Sequence, residues 1–124
     1  MNVYLLWSAA FMSLVTFAVH TFIGGPRVAG PLLATTHLPP ASKWLNYYCW
    51  HIVTIFLLAM CMGYTYVAVH TDRPELAVFL TTLSAALSVL SVAVAIKGKI
   101  NPFRFPSTSL FTLIFLLGAA GLLL

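Results

Sequence analysis

Four long stretches of this chain carry no Asp, Glu, Lys or Arg in their central parts, and that absence constrains the fold more than any motif does. They cover residues 3–23, 43–69, 76–96 and 107–124. A helix rises 1.5 Å per residue, so about 20 mostly apolar residues cross a hydrocarbon core about 30 Å thick. The shortest stretch, 107–124, has 18 residues and still fits the usable range of about 17 to 25. Composition agrees: 61% of residues are hydrophobic and 6% are charged. A soluble domain carries roughly 25% charged residues because its surface faces water. Six basic and two acidic side chains cannot wet a 13.5 kDa globule. A soluble fold and a disordered chain are excluded. The net charge of +4 does not indicate nucleic acid, because the basic residues are scattered between apolar runs rather than clustered for phosphate binding.

The sequence therefore predicts an all-α integral membrane protein, an antiparallel four-helix transmembrane bundle with short loops, forming one membrane domain over residues 1–124. Helix breakers mark the expected joints. Gly24-Gly25-Pro26 stop the first helix, and Pro39-Pro40 precede the second, with Ser42 as its cap. Asp72-Arg73-Pro74-Glu75 form a turn in which Pro74 sits near the first position of the third helix and Glu75 complements its dipole. Gly98, Asn101 and Pro102 end the third helix, and Pro106-Ser107 begin the fourth. The first stretch is read as a retained helix. It lacks a basic leader, and Gly24-Gly25-Pro26 is a poor cleavage site.

Orientation follows from the basic residues. Arg27 and Lys43 flank the first loop and Lys97, Lys99 and Arg104 the third, whereas the second holds only Arg73 beside both acids, Asp72 and Glu75. The positive-inside rule makes loops one and three cytoplasmic and puts both termini on the non-cytoplasmic side, an arrangement suited to a bacterial inner membrane. Trp44, Tyr47, Tyr48 and Trp50 form an aromatic belt at the start of the second helix.

Thr81, Ser84, Ser88 and Ser91 follow one another at spacings of three and four and so share one face of the third helix. With Gly118 and Gly121 on the fourth helix they are read as close-packing positions. In the first helix, Ser13, Thr16 and His20 make a second polar stripe that ends at an ionisable group.

The histidines carry the candidate chemistry. His20 lies near the end of the first stretch and His51 near the start of the second. Antiparallel neighbours place the two at similar depth, with His37 in the loop between. An ionisable group inside a span is costly unless paired, which makes it a functional candidate. Two facing imidazoles suit haem b, with Arg27, Lys43, Lys97 and Lys99 near its propionates. A transition-metal site at His20, His37 and His51 is the other option. Cys49 would not join His51 there, since residues two apart on a helix point about 200° apart. The competing reading is structural: a histidine near a helix end reaches headgroups or a loop carbonyl. The segment His20–Pro26 and Cys49-Trp50-His51 are expected to meet at one interface.

Other chemistries drop out. Cys49 and Cys61 are separated by about 18 Å of helix rise and cannot pair. A Ser-His-acid set is missing, because both acids lie at the end opposite His20 and His51. A proton-coupled exporter needs an acid within a span, and Glu75 lies in a turn. The leading reading is a non-catalytic accessory or oligomer-forming subunit whose surroundings are the lipid bilayer and a membrane-protein partner or a second copy. The alternatives are haem b or metal binding at His20 and His51, and a dimeric transporter of a small solute along Ser84, Ser88 and Ser91.

Overall fold

In the computed structural model, which describes residues 1–124, the chain is all helix with no strands. Helix α1 runs over Val3–Ala34, α2 over Pro40–Val69, α3 over Pro74–Lys97 and α4 over Pro106–Leu123. A single 3-10 turn, Pro102–Arg104, stands before α4. All four helices are long and apolar enough to cross a membrane.

The helix ends follow local chemistry. The Asn2 side chain accepts hydrogen bonds from the Tyr4 and Leu5 amides at 3.1 and 3.3 Å and caps α1. Pro40, Pro74 and Pro106 each open a helix, where a missing N–H leaves no ladder bond unmade. Ser42 is therefore not the cap of α2. The helix begins two residues earlier, and the Ser42 carbonyl accepts from the Asn46 side chain at 2.8 Å. Helix α3 ends in a Schellman arrangement: Ile100 N–H donates to Ala95 O and Lys99 N–H to Ile96 O. This places Lys99 at φ 57°, the one non-glycine residue of the chain with positive φ. Lys99→Gly is expected to raise stability by about 0.5–1 kcal/mol, since the left-handed conformation costs a side chain more than glycine loses in chain entropy. Thermal unfolding in detergent measures the gain.

The largest departure from the sequence reading concerns α1, which was expected to stop at Ile23. It continues through Gly24-Gly25-Pro26 as a π-helical segment, Val19–Ala29, and then regains α geometry over Gly30–Ala34. In an α-helix the Pro26 ring would strike the carbonyl four residues earlier. The π turn moves the hydrogen-bond register to five, as in the bond from Gly30 N–H to Gly25 O, and so accommodates the ring. The shift has a side effect. Ser13 and Thr16 donate to the carbonyls four residues back, whereas Thr21, inside the π segment, has a buried hydroxyl without a partner.

Helix α1 packs against α2 and α4, and α3 packs against α4 and, more lightly, α2. The shared core holds Leu6, Ala9 and Ala10 from α1, Leu57, Met60 and Tyr64 from α2, Leu80 from α3, and Phe111 and Ile114 from α4. Tyr64 is wholly buried, and its hydroxyl pairs with Thr81 at 3.2 Å. The hydroxyl face of α3 is spent on α4: Ser91 bonds Ser107 at 2.7 Å and Thr108 at 2.8 Å, and Ser88 bonds Thr112. Ser84 turns back onto the Leu80 carbonyl at 2.8 Å. Gly118 lies against Tyr64 and Thr81, and Gly121 against Leu6. Near the chain ends, Asn2 N–H donates to Gly121 O at 2.7 Å.

The outside is apolar, with Phe11, Phe22, Ile55 and Val89 each more than 60% exposed, while buried positions include Ser13, Thr16, Thr81, Ser84, Ser91 and Thr108. Hydroxyls inside and large apolar groups outside is the distribution expected of helices that pack in lipid.

Candidate functional site

The π segment sets His20 and Gly24 against Trp50 of α2. The His20 imidazole stacks on the indole with ring centroids 3.9 Å apart and planes 20° apart. A Cβ on Gly24 would lie 2.8 Å from the far edge of the same indole, so glycine lets Trp50 lie flat along α1. The segments His20–Pro26 and Cys49-Trp50-His51 thus meet through Trp50.

The hydrogen bonds fix the role of His20. Its Nε2 lies 3.2 Å from the Trp50 carbonyl and 3.2 Å from the Thr54 hydroxyl, which itself donates to the same carbonyl at 3.2 Å. A carbonyl only accepts, so Nε2 carries the proton and donates. Nδ1 is then the ring nitrogen with a free lone pair. As the ring is placed, Nε2 is not available to a metal.

The other histidines do not join it. His51 is exposed and meets Tyr47 edge-on at 4.6 Å. His37 lies exposed beyond α1, its amide donating to Thr35 Oγ1 at 3.3 Å. His70 stacks on Tyr66 at 4.3 Å. The set His20, His37 and His51 does not converge, and no three His, Cys, Asp or Glu side chains come close enough to share a metal ion. Similar depth along neighbouring helices does not bring His20 and His51 face to face. His51 follows Trp50 by one residue and is turned about 100° around α2 from the side that meets α1.

Beside His20 a cleft of about 500 Å³ opens. Its walls come from α1 (Val19, Ile23), from α2 (Val53, Leu57) and from the start of α4 (Leu110, Phe111). The cause lies in α1. Its α-helical part packs on α4, but the π segment reaches α2 and not α4, leaving a wedge between them. Arg27 from the π segment and Arg104 from the 3-10 turn both border this wedge. Both arginines are exposed, and the single ion pair of the chain, Arg73 with Asp72 at 3.5 Å, involves neither.

Sequence reasoning identified His20 and the segment Cys49-Trp50-His51 that meets it, but not the stacking on Trp50 or the contact with Thr54. The spacing of four between His20 and Gly24 held a signal: a small residue one turn from a histidine marks a face on which an aromatic ring can lie. Arg104 was legible only as a basic residue on the same side as Arg27, because which of those residues border a common cleft depends on packing between distant segments. Comparison with protein-family models, with curated proteins and with solved structures finds no match to this chain.

Proposed function

We propose that this chain is a small membrane protein, inserted as an antiparallel four-helix bundle, that works by binding rather than catalysis, as an accessory or oligomer-forming subunit of a membrane complex. The observation that carries this reading is the outer face of α2. Leu45, Tyr48, Ile52, Ile55, Ala59, Met62, Tyr66 and Val69 follow at alternating spacings of three and four, and all are exposed. That seam is the pattern by which left-handed helix pairs pack, and Ala59 at its centre permits close approach. The basic residues Arg27, Lys43, Lys97, Lys99 and Arg104 support an orientation with both termini on the non-cytoplasmic side. The test is disulfide capture in native membranes, with Ala59→Cys in a chain whose Cys49 and Cys61 are replaced by serine. A cross-linked dimer from position 59, and none from a cysteine placed at Val89 on the outer face of α3, is expected. Equal capture at both positions, or none at either, defeats the reading.

A second reading, haem b or a metal ion held through His20, is favoured by one observation: the cleft places this imidazole near two arginines suited to propionates. It requires the ring to give up the Trp50 carbonyl or to bind through Nδ1, and His51 is not placed to serve as the second ligand. A visible spectrum of the purified protein before and after dithionite decides it. A Soret band lost in His20→Ala establishes the cofactor, and a colourless sample free of metal dismisses it. The transport reading draws no support from the serine face, since Ser88 and Ser91 are bonded to hydroxyls of α4.

A further inference from the structure

We propose that the cleft beside His20 is a binding site for an anionic phospholipid, with an acyl chain along its apolar walls and the phosphate between Arg27 and Arg104. The proposal rests on the membrane-inserted reading but not on the subunit reading. Three observations converge on it. The cleft has the volume of a small-molecule site, about 500 Å³, and its walls are formed mainly by aliphatic and aromatic side chains. Two guanidinium-bearing residues, far apart in the chain, border the same space, and neither has a carboxylate partner. Both acids of the chain, Asp72 and Glu75, lie in the turn and first helical residues between α2 and α3, away from the cleft. The arginines therefore present uncompensated charge beside an apolar slot, the complement of a lipid that joins a phosphate to a hydrocarbon chain. Guanidinium suits this role because its planar fork binds phosphate oxygens in pairs and it is less strongly hydrated than an ammonium. Basic pockets between membrane helices take anionic headgroups for the same reason.

The occupant is a lipid rather than a soluble anion because the apolar walls would add nothing to the binding of free phosphate. The π segment is what makes room. A continuous α-helix would lie differently against α4, and the wedge exists where the register changes.

The full chain, purified in a neutral detergent, is titrated with phosphatidylglycerol and separately with phosphatidylcholine, and the bound lipid is counted by native mass spectrometry. One phosphatidylglycerol per chain is expected, favoured about thirtyfold over phosphatidylcholine, as two cationic contacts near a headgroup would give. The double variant Arg27→Gln, Arg104→Gln should lose that preference, and Arg73→Gln, at the other end of the bundle, should keep it. Val53→Trp, which fills the slot and spares both arginines, should lower binding of phosphatidylglycerol, and the thermal transition of each variant shows that it is folded. Retention of the preference in the double variant overturns the proposal, as does equal loss in Arg73→Gln. Displacement of the lipid by millimolar inorganic phosphate also overturns it, because the site would then read the anion alone.

Discussion

Gly118→Leu is expected to be the most damaging single substitution in the chain, lowering stability by about 3 kcal/mol or preventing folding. The backbone of α4 at Gly118 runs so close to α2 and α3 that a Cβ alone would lie 2.6 Å from the Tyr64 hydroxyl and would also overlap Thr81 Oγ1. Tyr64 has no room to yield, since it is wholly buried, and moving it would break its bond to Thr81. Even Gly118→Ala should destabilise, because the clash outweighs the gain of about 1 kcal/mol that alanine brings to a helix interior. Gly25→Ala is the control. Nothing lies within 4 Å of a Cβ there, so the alanine gain should appear without a penalty. Thermal unfolding of the three variants in one detergent orders them as Gly25→Ala, Gly118→Ala and Gly118→Leu, from most to least stable. An unchanged midpoint for Gly118→Leu would mean that α4 does not approach Tyr64 as described.

Trp50→Ala is the second large effect, a loss of about 3 kcal/mol, the low end for tryptophan truncation because the ring is only half buried. The indole fills the space between His20 and Gly24, and its removal leaves the imidazole without its stacking partner while the backbone bond to Nε2 survives. A double-mutant cycle makes the prediction specific. Gly24→Ala should cost about 1 kcal/mol in the parent chain, where its methyl meets the indole edge, and close to nothing once Trp50 is alanine. Additive losses would show that the two residues do not touch.

How far the sequence reaches is clearest at these same residues. The four helices are legible because charge-free apolar runs of that length leave few alternatives, and Pro74 marks its helix start to within two residues of the expected Leu76. The end of α1 is not legible. Gly24-Gly25-Pro26 is a stop signal by local chemistry, and the π register that carries the helix through it depends on packing that no window of sequence contains. The histidines show a second limit. Position along a helix can be counted from the sequence, which is why His20 and the segment around Trp50 were placed at one interface. Rotation about the helix axis cannot be counted the same way, and a turn of one residue separates the ring that meets His20 from His51, which does not. The cleft is harder still, since Arg27 and Arg104 border one space only because the π segment leaves α4 for α2.

The bond between Asn2 and Gly121 closes the molecule into a ring of helices whose first and last turns touch. A few added residues would join Leu124 to Met1, and the exposed link at Ile100–Asn101, between α3 and the 3-10 turn, would supply new ends. Such a circular permutant keeps every helix intact and moves both ends to the opposite side of the bundle. A reporter fused there would sit at the end of the bundle that carries His20 and the cleft, away from Asn2 and Gly121.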